Sequence, residues 1–256
     1  MNISGSTILV TGASGGLGSA MARELAKRGA HLILTARREE ILASLAEDIG
    51  AEVVVADLAD RADVESLIDR ARDVDVIVLN AGIGSDTSFE SLTADHIDRS
   101  IDVNLRSPIQ MATAFAQHKV GSAAPAAIVL VGSLSGLAAT PNTEMYNATK
   151  FGLRGFSLSL AQDLDGTNVT ATLVAPSFIR DAGMFAEGDV DLPTGVRFKN
   201  PDDVSAAIVK AIEDGPAEVY VSPIELRLGA AFSTIAPRIS ARVMKAVGAR
   251  EMTGRQ

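Results

Sequence analysis

Two residues four positions apart, Tyr146 and Lys150, form the pair in this sequence best suited to proton transfer. They lie at the start of a predicted helix, where side chains at positions i and i+4 share one face, so the ammonium can lie beneath the phenol. A phenol has a pKa of about 10, and a neighbouring cation stabilises the phenolate and lowers that pKa. Because this spacing is also common on protein surfaces, the pair indicates a catalytic site only together with the residues that precede it.

Two polar residues upstream complete a candidate catalytic set. Ser133 follows a predicted strand that ends at Val131, and the carboxyl ends of parallel strands line the ligand crevice of an open sheet. Its hydroxyl can hydrogen-bond a substrate oxygen on which charge develops, although a Ser after Gly is more often a turn residue. Asn104 lies in an apolar helical stretch, where it either hydrogen-bonds nearby backbone or holds a water that relays protons to Lys150.

A glycine-rich turn joins the first predicted strand to the first predicted helix. It runs Thr11-Gly12-Ala13-Ser14-Gly15-Gly16-Leu17-Gly18. Glycine is needed where the chain reverses, where backbone approaches a pyrophosphate and where the helix packs on the strand, and the free N–H groups of the helix then face the anion. A turn without a ligand is the simpler alternative, but this position favours dinucleotide binding.

The end of the second predicted strand indicates which dinucleotide is bound. NAD-selective sites usually have an acidic residue there for the ribose hydroxyl, whereas this chain has Arg37 and Arg38 and no acid before Glu39. Guanidinium groups pair with a 2′-phosphate, so NADP(H) is favoured and NAD(H) is the alternative. Asp57 and Leu58, after the third strand, lie where the adenine would be bound, but Asp57 is equally well explained as a helix N-cap.

Short apolar runs alternate with helical periodicity along the whole chain. Strands are predicted at Thr7–Val10, His31–Ala36, Glu52–Ala56, Asp75–Leu79, Ala127–Val131, Val169–Val174 and Ala217–Val221. A long helical stretch is expected from about Ala94 to His118, broken near Ser100. The alternation predicts an α/β fold with a doubly wound, seven-stranded parallel sheet and helices on both faces. Residues 1–222 are predicted to form this one domain, with residues 223–256 as its helical extension.

Composition excludes several classes of function. The chain has 256 residues, of which 47% are hydrophobic, enough for one large core. Its net charge of −9 argues against nucleic acid, because phosphate backbones select basic surfaces. Without cysteine there is no Cys-ligated metal site, and no metal is expected. No apolar run is long enough to cross a bilayer and no signal-peptide pattern is present, so we expect a cytoplasmic protein.

Taken in order, these motifs resemble the short-chain dehydrogenase/reductase family over about residues 5–222. The resemblance implies a Rossmann-like fold and NADP(H)-dependent interconversion of a ketone or aldehyde and an alcohol. It implies Tyr146 as general acid/base, Lys150 lowering its pKa and holding the nicotinamide ribose, Ser133 orienting the carbonyl and Asn104 completing the relay. Expected cofactor contacts are Gly12, Ser14, Gly16, Leu17, Gly18, Arg37, Asp57, Leu58, Asn80, Ala81, Gly82, Tyr146, Lys150, Pro176 and Ile179.

Two positions depart from the family pattern. Ser177 follows Pro176 where the family usually has Gly, and Asp181 stands where a Thr usually contacts the nicotinamide amide. The contact at Asp181 therefore stays open. The segment 178–199 is expected to form a lid over an apolar substrate pocket, although its apolar residues equally suit a small core of the lid itself. Those that suggest the pocket are Phe178, Ile179, Met184, Phe185 and Leu192, with Leu134, Pro141 and Met145.

The chain ends in a basic tail, residues 224–256. It contains six basic and two acidic residues, so it carries +4 and leaves −13 for the rest. Packing on the acidic body or on a second subunit is favoured, and contact with a membrane surface is the alternative. The family resemblance also implies a homodimer or homotetramer through the two long central helices.

Two other functions agree less well with the sequence. A non-catalytic NADP-binding sensor has no need of a proton relay, so Asn104, Ser133, Tyr146 and Lys150 weigh against it. A nucleotide-sugar epimerase uses the same tetrad but normally needs a longer chain for its sugar-binding region.

Overall fold

Seven strands form the frame of the protein, which we describe from a computed structural model. The structure describes residues 1–84, 89–180, 198–239 and 242. The strands are β1 (Thr7–Thr11), β2 (His31–Ala36), β3 (Glu52–Val55), β4 (Val76–Leu79), β5 (Ala126–Val131), β6 (Val169–Pro176) and β7 (Glu218–Val221). They pair in parallel in the order β3-β2-β1-β4-β5-β6-β7. The direction of winding therefore reverses between β1 and β4, which is where such sheets bind ligands.

Eight helices connect or follow these strands in the described residues. They are α1 (Gly16–Lys27), α2 (Glu39–Ile49), α3 (Arg61–Ala71), α4 (Ala94–Ile101), α5 (Ser107–Lys119), α6 (Glu144–Asp163), α7 (Pro201–Asp214) and α8 (Ile224–Ile235). Short 3₁₀ turns occur at Phe89–Ser91 and Leu134–Gly136. None of the helices in this described part has both the length and the apolarity for a membrane crossing.

Helices cover both faces of the sheet. On β1, Ile8 and Val10 belong to a core shared with α1, α2 and α7, whereas Leu9 points to the opposite core, shared with α3, α5 and α6. This alternation follows from the two-residue period of a strand. Strands that are buried on both faces consist of nearly continuous apolar residues, which is why the sequence locates them. The predicted α/β fold with its seven-stranded parallel sheet is confirmed.

The helical stretch expected to break near Ser100 instead continues through a widened turn. Residues Asp102–Arg106 form a π-helical turn between α4 and α5. Pro108 lies at the start of α5 and has no N–H, so the α-helical hydrogen bond to the carbonyl of Asn104 cannot form. Local widening of a helix often marks a functional position, and here Asn104 lies at the centre of the turn.

Candidate active site

The candidate site lies along the carboxyl edges of β1, β4, β5 and β6. The glycine-rich turn follows β1, the Asn80-Ala81-Gly82 turn follows β4, Ser133 follows β5, and Pro176 ends β6. These strands are neighbours in the sheet. Parallel pairing thus brings together segments that are far apart in the sequence.

The glycine-rich turn is tightly packed at both ends. Gly12 has a φ of +69°, and a Cβ added there would lie 2.7 Å from Ala81 Cα. A Cβ on Gly18 would lie 2.8 Å from Ala13 Cα, closer than side chains are normally found. Glycine is required at both positions, once for conformation and once for the close approach of helix and strand.

The start of α1 has the properties of an anion site. Its N-cap is Gly15, which offers no side chain to the first N–H groups, and the first turn contains no acidic residue. The N–H groups of Gly16, Leu17 and Gly18 are among the four donors that a helix leaves unpaired at its start. Such donors, together with the helix dipole, favour a phosphate group, so this turn fits a pyrophosphate.

Thr11 connects the glycine-rich turn after β1 to the turn after β4 by hydrogen bonds. Its Oγ1 accepts hydrogen bonds from the N–H groups of Asn80 and Ala81, both at 3.0 Å. Asn80 Nδ2 donates to the carbonyls of Thr11 at 3.0 Å and Gly12 at 3.3 Å. Thr11 is the first residue of the glycine-rich motif, and its position there is the one sequence signal for this role.

Two arginines flank the glycine-rich turn from the end of β2. Arg38 donates from one terminal nitrogen to the carbonyl of Ser14 at 2.7 Å and from Nε to Ser14 Oγ at 3.4 Å. Arg37 is also exposed, and its charge helps to lower the pKa of Asp57. Both guanidinium groups thus lie at the predicted adenosine end of the site, where they fit a 2′-phosphate. The sequence indicated both arginines as partners of a 2′-phosphate, with Arg37 as the expected cofactor contact, but it contains no signal for the bonds from Arg38 to Ser14.

Asp57 is held by hydrogen bonds and an ion pair. Burial alone would raise its pKa, but hydrogen bonds from Ala59 N–H and Arg99, with the charges of Arg99 and Arg37, outweigh burial and lower the pKa. Arg99 approaches a carboxylate oxygen to 3.1 Å. The interpretation of Asp57 as a helix N-cap is wrong, because Asp60 caps α3. Instead, the Asp57 carboxylate accepts a hydrogen bond from the N–H of Ala59, two residues ahead.

Leu58, the other predicted adenine contact, is buried. Its carbonyl accepts a hydrogen bond from the hydroxyl of Ser107 at 2.6 Å. The bond ties this part of the site to the first residue of α5.

Tyr146 and Ser133 meet at the edge of the sheet. The Tyr146 side chain is buried, with 7% of the residue exposed. Burial raises the pKa of Tyr146 and the neighbouring Ser133 hydroxyl lowers it, with burial the larger effect. The expectation that the pKa of Tyr146 is lowered is therefore wrong in this structure, because burial of the phenol outweighs the groups around it. The raised pKa keeps the phenol protonated at neutral pH, which is the form that donates a proton.

Lys150 lies behind the phenol, as the helical spacing predicted. Its Nζ is 5.6 Å from the centre of the Tyr146 ring and donates to the carbonyl of Val131 at 2.9 Å. Burial lowers the pKa of Lys150 from 10.5 to about 8. At neutral pH the ammonium is still mostly protonated, so a positive charge is held next to Tyr146.

Asn104 connects the turn after β4 to α6. Its Oδ1 accepts from Ile83 N–H at 2.8 Å, and its Nδ2 donates to Ile83 O at 2.9 Å and to Thr149 Oγ1 at 3.3 Å. Thr149 in turn donates to the carbonyl of Tyr146 at 2.9 Å. Of the two interpretations of Asn104, the structure supports hydrogen bonding to backbone, on a different segment of the chain, while a proton relay stays a prediction.

Gly82 shows how closely the turn after β4 approaches the catalytic candidates. A Cβ added there would lie 3.3 Å from Asn104 Oδ1 and 3.6 Å from Lys150 Nζ. The Asn80-Ala81-Gly82 turn therefore runs directly past both side chains. All four predicted catalytic residues lie in this one region of the sheet edge.

The segment after β6 is described only at its two ends. Ser177 N–H and Oγ both donate to the carbonyl of Val221, at 3.0 and 3.2 Å, so the Ser at this family position is tied to β7. Ile179 is buried and pairs with Lys199 in an isolated parallel bridge. Asp181 and most of the predicted lid, with Met184, Phe185 and Leu192, lie outside the described residues.

Comparison with known proteins gives the class of this chain. The family model described as short chain dehydrogenase matches residues 6–191. The chain therefore belongs to the short-chain dehydrogenase/reductase family of oxidoreductases, as the motifs predicted.

Three of the similar proteins have names that state an activity. The chain is 35% identical over 186 residues to "3-oxoacyl-[acyl-carrier-protein] reductase FabG" of Rickettsia conorii, covering 70% of this chain and 75% of that protein. A crystal structure of 3-ketoacyl-(acyl-carrier-protein) reductase from Brucella melitensis complexed with NADH matches with a TM-score of 0.77 and 26% identity, over 86% of this chain and 98% of that one. A structure assigned as an NAD(P)-dependent gluconate 5-dehydrogenase from Beutenbergia cavernae, with NADP at low occupancy, matches with a TM-score of 0.78 and 26% identity, over 87% and 98% of the two chains.

Proposed function

We propose that this protein is an NADPH-dependent carbonyl reductase in which Tyr146 donates a proton to the substrate oxygen. The observation that carries the proposal is the arrangement at the sheet edge, where the buried Tyr146 phenol lies near Ser133 and the Lys150 ammonium is held 5.6 Å from the ring centre by its bond to the carbonyl of Val131. Family membership supports chemistry between an alcohol and a carbonyl.

The residues present fit a nicotinamide dinucleotide. The unpaired N–H groups at the start of α1, with Gly12 and Ser14, suit the pyrophosphate, and Arg37 with Arg38 suits the 2′-phosphate of NADP. We assign the adenine to Asp57 and Leu58, the ribose beside the nicotinamide to Tyr146 and Lys150, and the nicotinamide to Pro176 and Ile179, with Asn80, Ala81 and Gly82 along its path. When bound, the reduced dinucleotide supplies the hydride that the carbonyl carbon accepts.

Each polar residue then has a defined task. Ser133 donates a hydrogen bond to the substrate oxygen, which orients the carbonyl and stabilises the negative charge that develops. Tyr146 gives its phenolic proton to that oxygen, so the product is the alcohol and the residue left is a phenolate. The Lys150 ammonium stabilises the phenolate until a proton returns from solvent, with Asn104 completing the relay.

The named relatives suggest the substrate class. Several relatives are named as 3-oxoacyl-[acyl-carrier-protein] reductases, so we propose a 3-oxoacyl thioester as the first substrate to test. Leu134, Pro141 and Met145, on the segments between Ser133 and Tyr146, are half-buried and apolar, which suits an acyl chain. We also expect a homodimer or homotetramer through α5 and α6, where Phe151 is 39% exposed.

The experiment that tests the proposal is the initial rate of NADPH and NADH oxidation with 3-oxoacyl thioesters and a panel of apolar ketones and aldehydes. Turnover with NADPH and much slower turnover with NADH are expected. If the protein binds NADPH tightly but turns over no carbonyl compound, and Tyr146→Phe leaves NADPH binding unchanged, the result would favour the non-catalytic sensor instead.

A further inference from the structure

One helix turns its apolar side to solvent. In α8, four large apolar residues are between 49% and 83% exposed, namely Ile224, Leu228, Phe232 and Ile235. At 3.6 residues per turn they fall within an arc of about 80° and form one stripe along the helix. A surface helix normally directs such a stripe to the core and its polar side outward. The arrangement in α8 is the reverse.

The helix is nevertheless fastened to the body of the protein. Ala230 is buried, and Ser233 Oγ donates to the carbonyls of Ala230 at 2.7 Å and Leu137 at 3.4 Å. Arg227 stacks on Tyr220, its guanidinium carbon 4.2 Å from the ring centre. The stripe therefore points outward because the opposite side of the helix is already packed. The tail was expected to pack on the chain's own body or on a second subunit, and for these four residues the structure excludes only the chain's own body.

The sequence that follows α8 is basic. Arg238, Arg242, Lys245 and Arg250 follow without an acidic residue before Glu251, and Ile239 is a further exposed apolar residue. The basic tail carries +4, against −13 for the remainder of the chain. An apolar stripe flanked by basic residues is the pattern of helices that lie in the interface of an anionic bilayer.

The size of the stripe disfavours a second copy as its partner. A helix of 12 residues is about 18 Å long and roughly 10 Å wide, so its outer face offers on the order of 200 Å². A stable protein–protein interface buries about 800 Å² on each partner. An interfacial helix needs no larger area than its own apolar side, because the lipid closes around it.

We propose that the outward side of α8 docks on an anionic membrane surface, with its four apolar residues in the headgroup region and the exposed residues Arg238 and Arg242 against the lipid phosphates. The bond from Ser233 to Leu137 ties α8 to the segment directly after Ser133. Docking would therefore hold that side of the candidate active site near the lipid surface. This proposal does not depend on the proposed reaction.

The test is sedimentation of the full chain with vesicles, either of phosphatidylcholine alone or of phosphatidylcholine and phosphatidylglycerol in equal amounts. The wild type is expected to bind the anionic vesicles several-fold more than the neutral ones. The double variant Leu228→Ser/Phe232→Ser should lower the partition coefficient about ten-fold or more, since each side chain removes apolar burial from the lipid. Arg238→Gln/Arg242→Gln should weaken binding chiefly at low salt.

Ile41→Ser/Val120→Ser is the matched control, because these residues are 46% and 44% exposed and lie outside α8. This variant should bind vesicles as the wild type does. The proposal is overturned if the wild type binds no anionic vesicles at low salt, or if Leu228→Ser/Phe232→Ser binds as well as the control variant. A decrease in oligomer mass in the Leu228→Ser/Phe232→Ser variant, without vesicle binding by the wild type, would instead assign the stripe to a second copy.

Discussion

The side chain of Asn104 holds the main chain of Ile83 by both of its polar groups. Oδ1 accepts from the Ile83 N–H at 2.8 Å while Nδ2 donates to the Ile83 carbonyl at 2.9 Å. The clamp fixes the turn after β4 against the π-helical turn. It thereby sets the position of Gly82 relative to Lys150.

Loss of this clamp should damage both stability and catalysis. Asn104→Ala leaves an N–H and a carbonyl without partners, which we expect to lower the free energy of unfolding by about 1–3 kcal/mol. Because the turn beside Lys150 is then free to shift, kcat should fall as well. Asn168→Ala is the control, since Asn168 also donates to backbone carbonyls, of Lys119 and Ala124, but lies away from the site. Equal kcat values in the two variants would contradict the positioning role of Asn104.

Two glycines of one turn should respond differently to alanine. Gly18→Ala brings a Cβ to 2.8 Å from Ala13 Cα, whereas Gly15→Ala meets only Gly12 O at 3.5 Å, an ordinary contact. We expect Gly18→Ala to displace α1 and raise the Kd for NADPH about ten-fold or more, because phosphate binding depends on the position of that helix. Gly15→Ala should stay within about three-fold of the wild type. Fluorescence titration with NADPH measures both, and equal Kd values would show that the close packing at Gly18 is not needed.

Substitution of Arg37 should change the preference for NADPH over NADH, whereas substitution of Arg38 should change the affinity for both dinucleotides. Arg37→Ala removes a charge expected to meet only the 2′-phosphate, so it should weaken NADPH binding by about 1–3 kcal/mol and leave NADH binding unchanged. Arg38→Ala also removes the bond to the Ser14 carbonyl, so it should weaken the binding of both dinucleotides. Isothermal titration of each variant with each dinucleotide distinguishes the two effects. An unchanged ratio of NADPH to NADH affinity in Arg37→Ala would argue against NADP selectivity by this residue.

Burial of Lys150 should appear in the dependence of stability on pH. Its pKa falls from 10.5 in the unfolded chain to about 8 in the folded protein, so between these values the unfolded chain binds more protons and stability rises with pH. Relative to Lys150→Met, the wild type should gain about 2 kcal/mol of unfolding free energy between about pH 7.5 and about pH 9.5. Lys210→Met, which changes an exposed lysine on α7, should show no such difference in urea titrations. A pH-independent difference between wild type and Lys150→Met would contradict the lowered pKa.

The sequence alone could predict the sheet and the catalytic pair because both depend on local patterns. Apolar runs and helical periodicity locate the strands to within one or two residues, and Tyr146 with Lys150 depends only on the pitch of α6. The π-helical turn could not be located, since its cause is the missing N–H of Pro108 within a stretch that otherwise reads as a regular helix. β6 extends to Pro176, two residues beyond the prediction, because pairing with β7 decides where it ends.

Contacts between distant segments could not be predicted. The partner of Lys150 is the carbonyl of Val131, and that of Arg38 is the carbonyl of Ser14. Backbone acceptors carry no side-chain signal, so only the folded arrangement of strands and turns identifies them. The cap of α3 is a different case, because Asp57 and Asp60 both precede this helix and are both suited to an N-cap. Only the residue at which the helix starts, Arg61, assigns the cap to Asp60.

The most direct test of the proposed chemistry is the turnover of Tyr146→Phe measured beside its NADPH affinity. Phe keeps the ring and its packing but removes the proton donor, so kcat should fall about 10²–10⁴-fold while the Kd for NADPH changes little. The chain has two tyrosines, and Tyr220→Phe is the matched control because Tyr220 is bonded to Glu218 and Arg154 away from the candidate site. Wild-type kcat in Tyr220→Phe and its loss in Tyr146→Phe would support the proton transfer. Wild-type kcat in both variants would contradict it.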